Sequence, residues 1–222
     1  MQTLVLVPTD LERRGLEPIL AAATPAAPGT PPWGIELCGF GPVAAAARTA
    51  LLLARHVPQR VVLAGIAGRL DDRLALGAAY RFAAVACHGV GAGSGDGFVP
   101  AGTMAWPQWP GDAADGSPVI GDTIPCATDG PATPQAELLL TACAASATAD
   151  DVRARRRLFP AAAAEDMEGF AVAFACRLHG VPCTIVRGIS NTAGDRDQSR
   201  WQTTAALRAV GDLAVRIMAG RP

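Results

Sequence analysis

Short apolar runs alternate along the chain with longer stretches of helical character. Strands are predicted over residues 3–7, 34–38, 60–65, 79–87 and 183–188, with a further strand over 119–127. Helices are predicted over 9–23, 42–56, 165–179 and 198–219, and Thr133-Pro134 is expected to open another. This alternation favours an α/β domain spanning residues 1–222, with a largely parallel sheet and helices on both faces.

The segments that follow the predicted strands are the places where chemistry is expected. In open α/β sheets, ligands bind beyond the carboxyl ends of the strands. Those segments are 8–12, 39–42, 65–69 and 189–197. Residues 88–118, rich in Gly, Pro and Trp, are too long for a simple connection and are predicted to be an active-site or interface segment.

Composition narrows the classes of function. Half of the residues are apolar and the net charge is -1, so the chain is globular and has no overall field that would attract nucleic acid or an anionic membrane. All 19 basic residues are arginine, which excludes a P-loop lysine or a Schiff-base lysine. Six cysteines without a CxxC pair and three scattered histidines argue against a metal site. Without a signal-peptide pattern or a membrane-length apolar run, a cytoplasmic protein with free thiols is expected.

Residues 39–44, GFGPVA, have the GxGxxA spacing of a dinucleotide-binding turn. The following strand ends in Ala64-Gly65-Ile66, without the carboxylate that would hold a ribose. The motif also follows the second strand rather than the first. A tight turn that packs a helix closely on the sheet is therefore favoured over NAD binding, and no cofactor is expected.

Three carboxylates, Glu165, Asp166 and Glu168, precede an apolar helical stretch. Acids favour a helix N-terminus, but Glu168 also borders a buried face, where an unpaired carboxylate is costly. Farther along, Asn191 offers both a hydrogen-bond donor and an acceptor just after a strand. Asp195 stands in the same polar loop, in a GDRD run that can pair internally and cap the final helix.

Thr9 and Glu12 follow the first strand with T-x-x-E spacing. This spacing is typical of a capping box. It also places a carboxylate at the carboxyl end of the strand, where a catalytic base would stand. The residues alone leave both interpretations open.

The segments EDMEG (165–169) and VRGISN (186–191) together resemble the purine nucleoside phosphorylase and nucleosidase superfamily. AGIAGRL (64–70) resembles the family's glycine-rich turn beside the base. The resemblance covers most of the chain and implies a three-layer α/β/α fold with a central mixed, largely parallel sheet. It also implies a small nucleoside substrate, no metal or cofactor, and a homo-oligomer in which a neighbour's loop closes the pocket.

The resemblance further implies roles for individual residues. Glu12 would activate water, Glu168 would hold the ribose hydroxyls, and Asn191 would orient the purine. Other substrate contacts are expected from Ile66, Ala67, Gly68, Asp166, Met167 and Asp195.

Within the superfamily, three features resemble the futalosine hydrolases more than the methylthioadenosine/adenosylhomocysteine nucleosidases. They are the GISN…GDRD loop, Ile66 where the adenine-specific enzymes have serine, and DGFVP at 96–100. An asparagine can donate to O6 of a 6-oxopurine, so Asn191 favours hypoxanthine as the leaving base. The expected reaction is hydrolysis of futalosine, a step of menaquinone biosynthesis by the futalosine route. The alternatives are a methylthioadenosine/adenosylhomocysteine nucleosidase, a phosphate-dependent phosphorylase and a non-catalytic nucleoside-binding module.

Overall fold

The computed structural model describes residues 2–23, 33–128 and 134–220. The strands are β1 (Thr3–Val7), β2 (Trp33–Leu37), β3 (Arg60–Arg69), β4 (Ala79–His88), β5 (Gly91–Ala92), β6 (Val99–Pro100), β7 (Thr123–Pro125), β8 (Gln135–Ala142), β9 (Ala162–Asp166) and β10 (Cys183–Thr192). The α-helices are α1 (Asp10–Ala22), α2 (Pro42–His56), α3 (Ala149–Leu158), α4 (Gly169–Leu178) and α5 (Thr203–Ala219).

Most predicted elements are confirmed, with β3 and β10 several residues longer than expected and α5 starting later. The helix expected from Thr133-Pro134 is wrong: Thr133 lies outside the described residues, and Gln135–Ala142 is strand β8. The predicted strand over 119–127 is reduced to the short β7. Helix α3 is not among the predicted elements.

The start of the helix predicted over 165–179 is also wrong. Residues Ala162–Asp166 form strand β9, and α4 begins only at Gly169. Alanine has the highest helix propensity, but β9 is fully buried and pairs with β8 on one side and β3 on the other. Burial between two strands outweighs the local preference of the alanines.

Strand β3 organises the sheet. β1 pairs with its first half, β9 pairs with its last two residues, and β10 runs along its other side. From β10 the pairing continues through β4 and β8 to β9, so that these strands and β3 form a closed ring. Among the described strands, this sheet has five parallel and three antiparallel pairings, which confirms the mixed, largely parallel sheet.

Helices cover the sheet on two faces, as expected for three layers. The alternation along β1 illustrates the division: Leu4 and Leu6 belong to one apolar core, and Val5 and Val7 belong to another. Helices α2 and α4 bury their apolar sides in the first core, and α1 and α5 bury theirs in the second. None of the helices in the described ranges is long and apolar enough to cross a membrane.

Candidate active site

A cavity of about 340 Å³ opens where β1, β3, β9 and β10 reach their carboxyl ends. Every residue predicted for the site except Asp195 lines it: Glu12, Ile66, Ala67, Gly68, Asp166, Met167, Glu168 and Asn191. These residues come from distant parts of the sequence. They meet because β1, β3 and β10 run parallel to one another, and because β9 pairs antiparallel with the end of β3 so that Glu165 lies opposite Gly68.

Glu12 belongs to a capping box and also lines the cavity. Its Oε2 accepts hydrogen bonds from Thr9 N (3.0 Å) and Thr9 Oγ1 (2.6 Å), and the Thr9 hydroxyl accepts from Glu12 N. Its Oε1 accepts from Ile66 N at 3.0 Å, between the parts of β3 that pair with β1 and β9. A carboxylate accepts about four hydrogen bonds, so one acceptor site remains for a ligand. The two interpretations of the T-x-x-E spacing are therefore compatible.

Glu168 is held at the entrance to α4 by a turn that is distant in sequence. Its Oε1 accepts from the backbone N–H of Gly41 at 3.0 Å. Gly41 has φ +82° and is the N-cap of α2, which begins with Pro42. The GFGP turn thus presents its N–H to the protein's own carboxylate. Burial raises the pKa of Glu168 to about 7, and nearby Arg187 partly opposes that shift.

Arg187 connects the acidic residues beneath the cavity. It is fully buried, and its Nη2 lies 2.5 Å from Asp166 Oδ2 and 3.4 Å from Glu168 Oε2. Although burial disfavours its charge, the carboxylates of Asp166, Glu168 and Glu12 keep the pKa of Arg187 above its ordinary value. Asp166 also accepts from Thr141 Oγ1 and Gly169 N. The Asp166 carboxylate is thus fully engaged with the protein and holds Arg187 in place.

Gly65 allows Arg187 and Glu12 to approach each other. A Cβ at position 65 would overlap Arg187 Nη1 and lie 2.5 Å from Glu12 Oε1. Arg187 Nη1 is buried and has no hydrogen-bond partner within the described part of the chain. An arginine nitrogen and a carboxylate oxygen therefore face the same small space next to the cavity.

Asn191 is oriented by its neighbours on β10. Its Nδ2 donates to the Thr192 carbonyl at 3.0 Å, and its Oδ1 accepts from Ser190 Oγ at 2.8 Å. The register with β3 shifts between Ile189 and Asn191, and such a bulge re-aims side chains. Consecutive residues Ser190 and Asn191 consequently both line the cavity, with the second Nδ2 hydrogen left for a ligand.

Two of the acidic residues noted in the sequence, Asp195 and Glu165, form ion pairs with arginines of the protein. Asp195 is absent from the cavity lining, and its carboxylate accepts from Arg200 Nη2 at 2.7 Å and from Asp197 N at 3.0 Å. Glu165 contacts the cavity, but its carboxylate pairs with Arg155 and accepts from Ser146 N and Oγ. Because successive residues of a strand face opposite ways, Glu165 points toward α3 and Asp166 toward Arg187.

Sequence reasoning missed several residues of the site. Arg187 lies within the VRGISN motif, and the lone charge in the run CTIVRGIS is the signal that predicts a buried ion pair there. The cavity lining also includes Leu11, Phe40, Arg196 and Trp201, for which the sequence carries no comparable signal. No residue of 88–118 is among those that line it. The active-site interpretation of that segment therefore finds no support in the described residues.

Comparisons with known proteins agree with this arrangement. The family model of the phosphorylase superfamily matches residues 29–219. A futalosine hydrolase of Streptomyces coelicolor is 33% identical over 185 residues, covering 81% of this chain and 76% of the relative. A 5'-methylthioadenosine/S-adenosylhomocysteine nucleosidase of Tolumonas auensis is 29% identical over 178 residues, covering 80% of this chain and 76% of the relative.

Solved structures share the fold at lower identity. The nucleosidase of Colwellia psychrerythraea in complex with adenine superposes with a TM-score of 0.75 at 22% identity, over 99% of this chain and 95% of that one. A futalosine hydrolase of Helicobacter pylori superposes with a TM-score of 0.71 at 16% identity, over 99% and 96%. By the extent of the family match and the identity to its relatives, this chain belongs to the phosphorylase superfamily.

Proposed function

We propose that the protein hydrolyses the N-ribosidic bond of a 6-oxopurine nucleoside, and that futalosine is its substrate, with hypoxanthine as the released base. The observation that carries the proposal is the meeting of Glu12, Glu168 and Asn191 in one cavity. Similarity to a futalosine hydrolase over 81% of the chain supports the choice of substrate. The reaction would belong to the futalosine route of menaquinone biosynthesis.

Bond cleavage builds positive charge on the ribose ring and negative charge on the departing purine. Glu168 would accept hydrogen bonds from the 2′- and 3′-hydroxyls and stabilise the cationic sugar. Since burial raises its pKa to about 7, a cationic partner stabilises its charge strongly, and this stabilisation is greatest in the transition state. Met167, adjacent in sequence and in the cavity lining, would pack against the ribose.

Glu12 would act as general base on the attacking water. Its remaining acceptor site and the unpartnered Arg187 Nη1 face the same space. A water bound there would donate to Glu12 and accept from Arg187. Both residues are fixed by other contacts, so the water would be oriented before the substrate arrives.

Asn191 would recognise the base. The Thr192 carbonyl can only accept, so it fixes Nδ2 as the group beside it and leaves the other N–H to donate to O6 of hypoxanthine. Oδ1 retains a lone pair for a protonated N7. An amide is a poor proton donor, so the N7 proton would come from another source, such as water.

Hydrolysis rather than phosphorolysis follows from the charge at position 12. Glu12 is buried and directed into the cavity, where a carboxylate repels a phosphate nucleophile. The competing activity is that of a methylthioadenosine/adenosylhomocysteine nucleosidase, supported by relatives such as that of Tolumonas auensis. Because Nδ2 of Asn191 is fixed by its hydrogen bond to the Thr192 carbonyl, the side chain presents its other N–H to the base, and an N–H pairs with O6 of an oxopurine.

The deciding experiment incubates the protein with futalosine, inosine and methylthioadenosine, with and without inorganic phosphate, and separates bases and sugars by chromatography. We expect hypoxanthine and a free sugar from futalosine, at a rate independent of phosphate. A sugar 1-phosphate would establish a phosphorylase instead. Preferential release of adenine would establish the alternative nucleosidase, and binding without turnover would establish a nucleoside-binding module.

We also propose that the chain forms a homo-oligomer in the cytoplasm. Phe40, Val43 and Leu51 on and beside α2 are 66%, 83% and 65% exposed, and they supply apolar side chains that a second copy of the chain could cover. The six free thiols fit a reducing compartment. Analytical ultracentrifugation should give a dimer or larger species that Leu51→Arg converts to monomer; a monomeric wild type would contradict self-association.

A further inference from the structure

Arg196 is a cation at the mouth of the cavity, and none of the described carboxylates forms an ion pair with it. It lines the cavity and is exposed. The acids on either side of it are engaged elsewhere: Asp195 Oδ1 lies 2.7 Å from Arg200 Nη2, and Asp197 Oδ2 lies 3.3 Å from Arg200 Nε. Across residues 2–23, 33–128 and 134–220, no acidic group forms an ion pair with Arg196.

The guanidinium is positioned by an aromatic ring. It lies 5.4 Å from the ring centroid of Trp201. Trp201 is itself held, because its Nε1 donates to the Asp195 carbonyl at 3.2 Å. A guanidinium that lies over an aromatic face can still direct N–H groups at a ligand, in the planar arrangement that matches a carboxylate.

The rest of the mouth is apolar. Leu11 and Phe40 line the cavity and are 52% and 66% exposed, and Trp201 is partly exposed beside Arg196. Deeper in the cavity the charged side chains that line it are all carboxylates: Glu12, Glu165, Asp166 and Glu168. Glu165 and Asp166 are paired with Arg155 and Arg187, which do not line the cavity. Arg196 is thus the cation of the lining that can attract an anionic group, and it orients a ligand that carries one.

We infer that Arg196 is the specificity-determining residue of this mouth and that it recognises a carboxylate at the end of an apolar 5′ substituent. The inference rests on the proposed function: with the base at Asn191 and the 2′- and 3′-hydroxyls at Glu168, C5′ carries the group that reaches the mouth. A hydroxyl or a methylthio group at that carbon gives Arg196 no charge to bind.

The test compares an acid with its neutral counterpart. Futalosine, whose 5′ substituent ends in a benzoate, and its methyl ester differ only in that charge. We expect wild type to favour the acid by about tenfold in kcat/KM, mainly through KM, as for one charge-assisted hydrogen-bonded pair at a wet site. Arg196→Gln should remove this preference, Arg196→Lys should keep part of it, and added salt should reduce it in wild type.

Arg55→Gln is the matched control. Arg55 is exposed on α2, fourteen residues beyond Gly41 and so about 20 Å along the helix from the site. The Arg55→Gln substitution removes the same charge, and the ratio of kcat/KM for acid and ester should stay at the wild-type value. Equal use of acid and ester by wild type, or an unchanged ratio in Arg196→Gln, would overturn the inference while futalosine hydrolysis stands.

Calorimetric Kd values for the acid and the ester distinguish a failure of the proposed reaction from a failure of the role assigned to the mouth. If the acid binds about tenfold more tightly than the ester but neither is hydrolysed, the proposed reaction is wrong and the assignment of the mouth holds. If acid and ester bind equally, the assignment of the mouth is wrong, whatever the turnover.

Discussion

Glu168 Oε1 accepts a 3.0 Å hydrogen bond from the backbone N–H of Gly41, 127 residues earlier in the chain. The contact joins the entrance of α4 to that of α2. Each helix start offers partial positive charge, and Arg187 adds a full one. Even so, burial keeps the pKa of Glu168 near 7, so the site holds a carboxylate that a cationic transition state would stabilise further.

Replacing Glu168 by Gln should lower kcat by about 100- to 1000-fold, the usual cost of removing one electrostatic contact to a developing charge. The amide keeps a similar shape and can still accept from Gly41. Steady-state kinetics on futalosine together with the melting temperature test this. A folded variant with near-wild-type kcat would remove Glu168 from the mechanism.

Stability should depend on pH through the same group. The pKa of Glu168 is about 7 in the folded protein, against 4.5 as its ordinary value, so the folded state holds its proton more tightly. The free energy of unfolding should therefore fall as pH rises from about 4.5 to 7 and level off above 7. Urea titrations across this range should give a weaker fall in Glu168→Gln than in wild type. Parallel curves for both proteins would contradict the raised pKa.

Glu12→Gln should slow hydrolysis by about 100- to 10,000-fold, as expected for loss of a general base, while futalosine still binds. The chain supplies a matched control in its second capping box, where Asp151 accepts from Thr148 N and Oγ1 at the start of α3. Asp151→Asn removes an equivalent cap away from the residues that line the cavity. If both variants have a lower melting temperature but hydrolyse futalosine at the wild-type rate, Glu12 serves only as a helix cap.

Asn191→Asp should weaken hydrolysis of futalosine by about 30- to 1000-fold. An ionised Asp would face the Thr192 carbonyl with an acceptor where Asn191 Nδ2 now donates, and it would present another acceptor to O6. Measured kcat/KM values on futalosine, inosine and methylthioadenosine provide the comparison. A wild type that prefers the adenine nucleoside would show that Asn191 does not select the base.

Gly65→Ala should abolish most activity although the substitution adds one methyl group. Its Cβ would overlap Arg187 Nη1 and crowd Glu12 Oε1, so both must move. Gly121→Ala is a suitable control, because its Cβ would meet nothing within 4 Å. Wild-type kcat in a folded Gly65→Ala variant would contradict the close approach of Arg187 and Glu12 across this glycine.

Local pattern and spacing were sufficient for several features of the fold and the site. The alternating apolar residues of β1, the Thr9–Glu12 capping box and the GFGP turn each depend on neighbours within a few positions. The motifs EDMEG and VRGISN identified Glu168 and Asn191 because the family resemblance attaches to short runs. Contacts between neighbours in sequence leave a readable pattern.

The tertiary structure alone decided what the buried acids contact. Ala162–Asp166 has the composition of a helix, and only its place between β8 and β3 makes it a strand. The strand then sends Glu165 to Arg155 and Asp166 to Arg187, 21 residues away, while Asp195 remains with Arg200 outside the cavity lining. A buried charge takes the partner that packing brings to it, and that partner cannot be read from spacing along the chain.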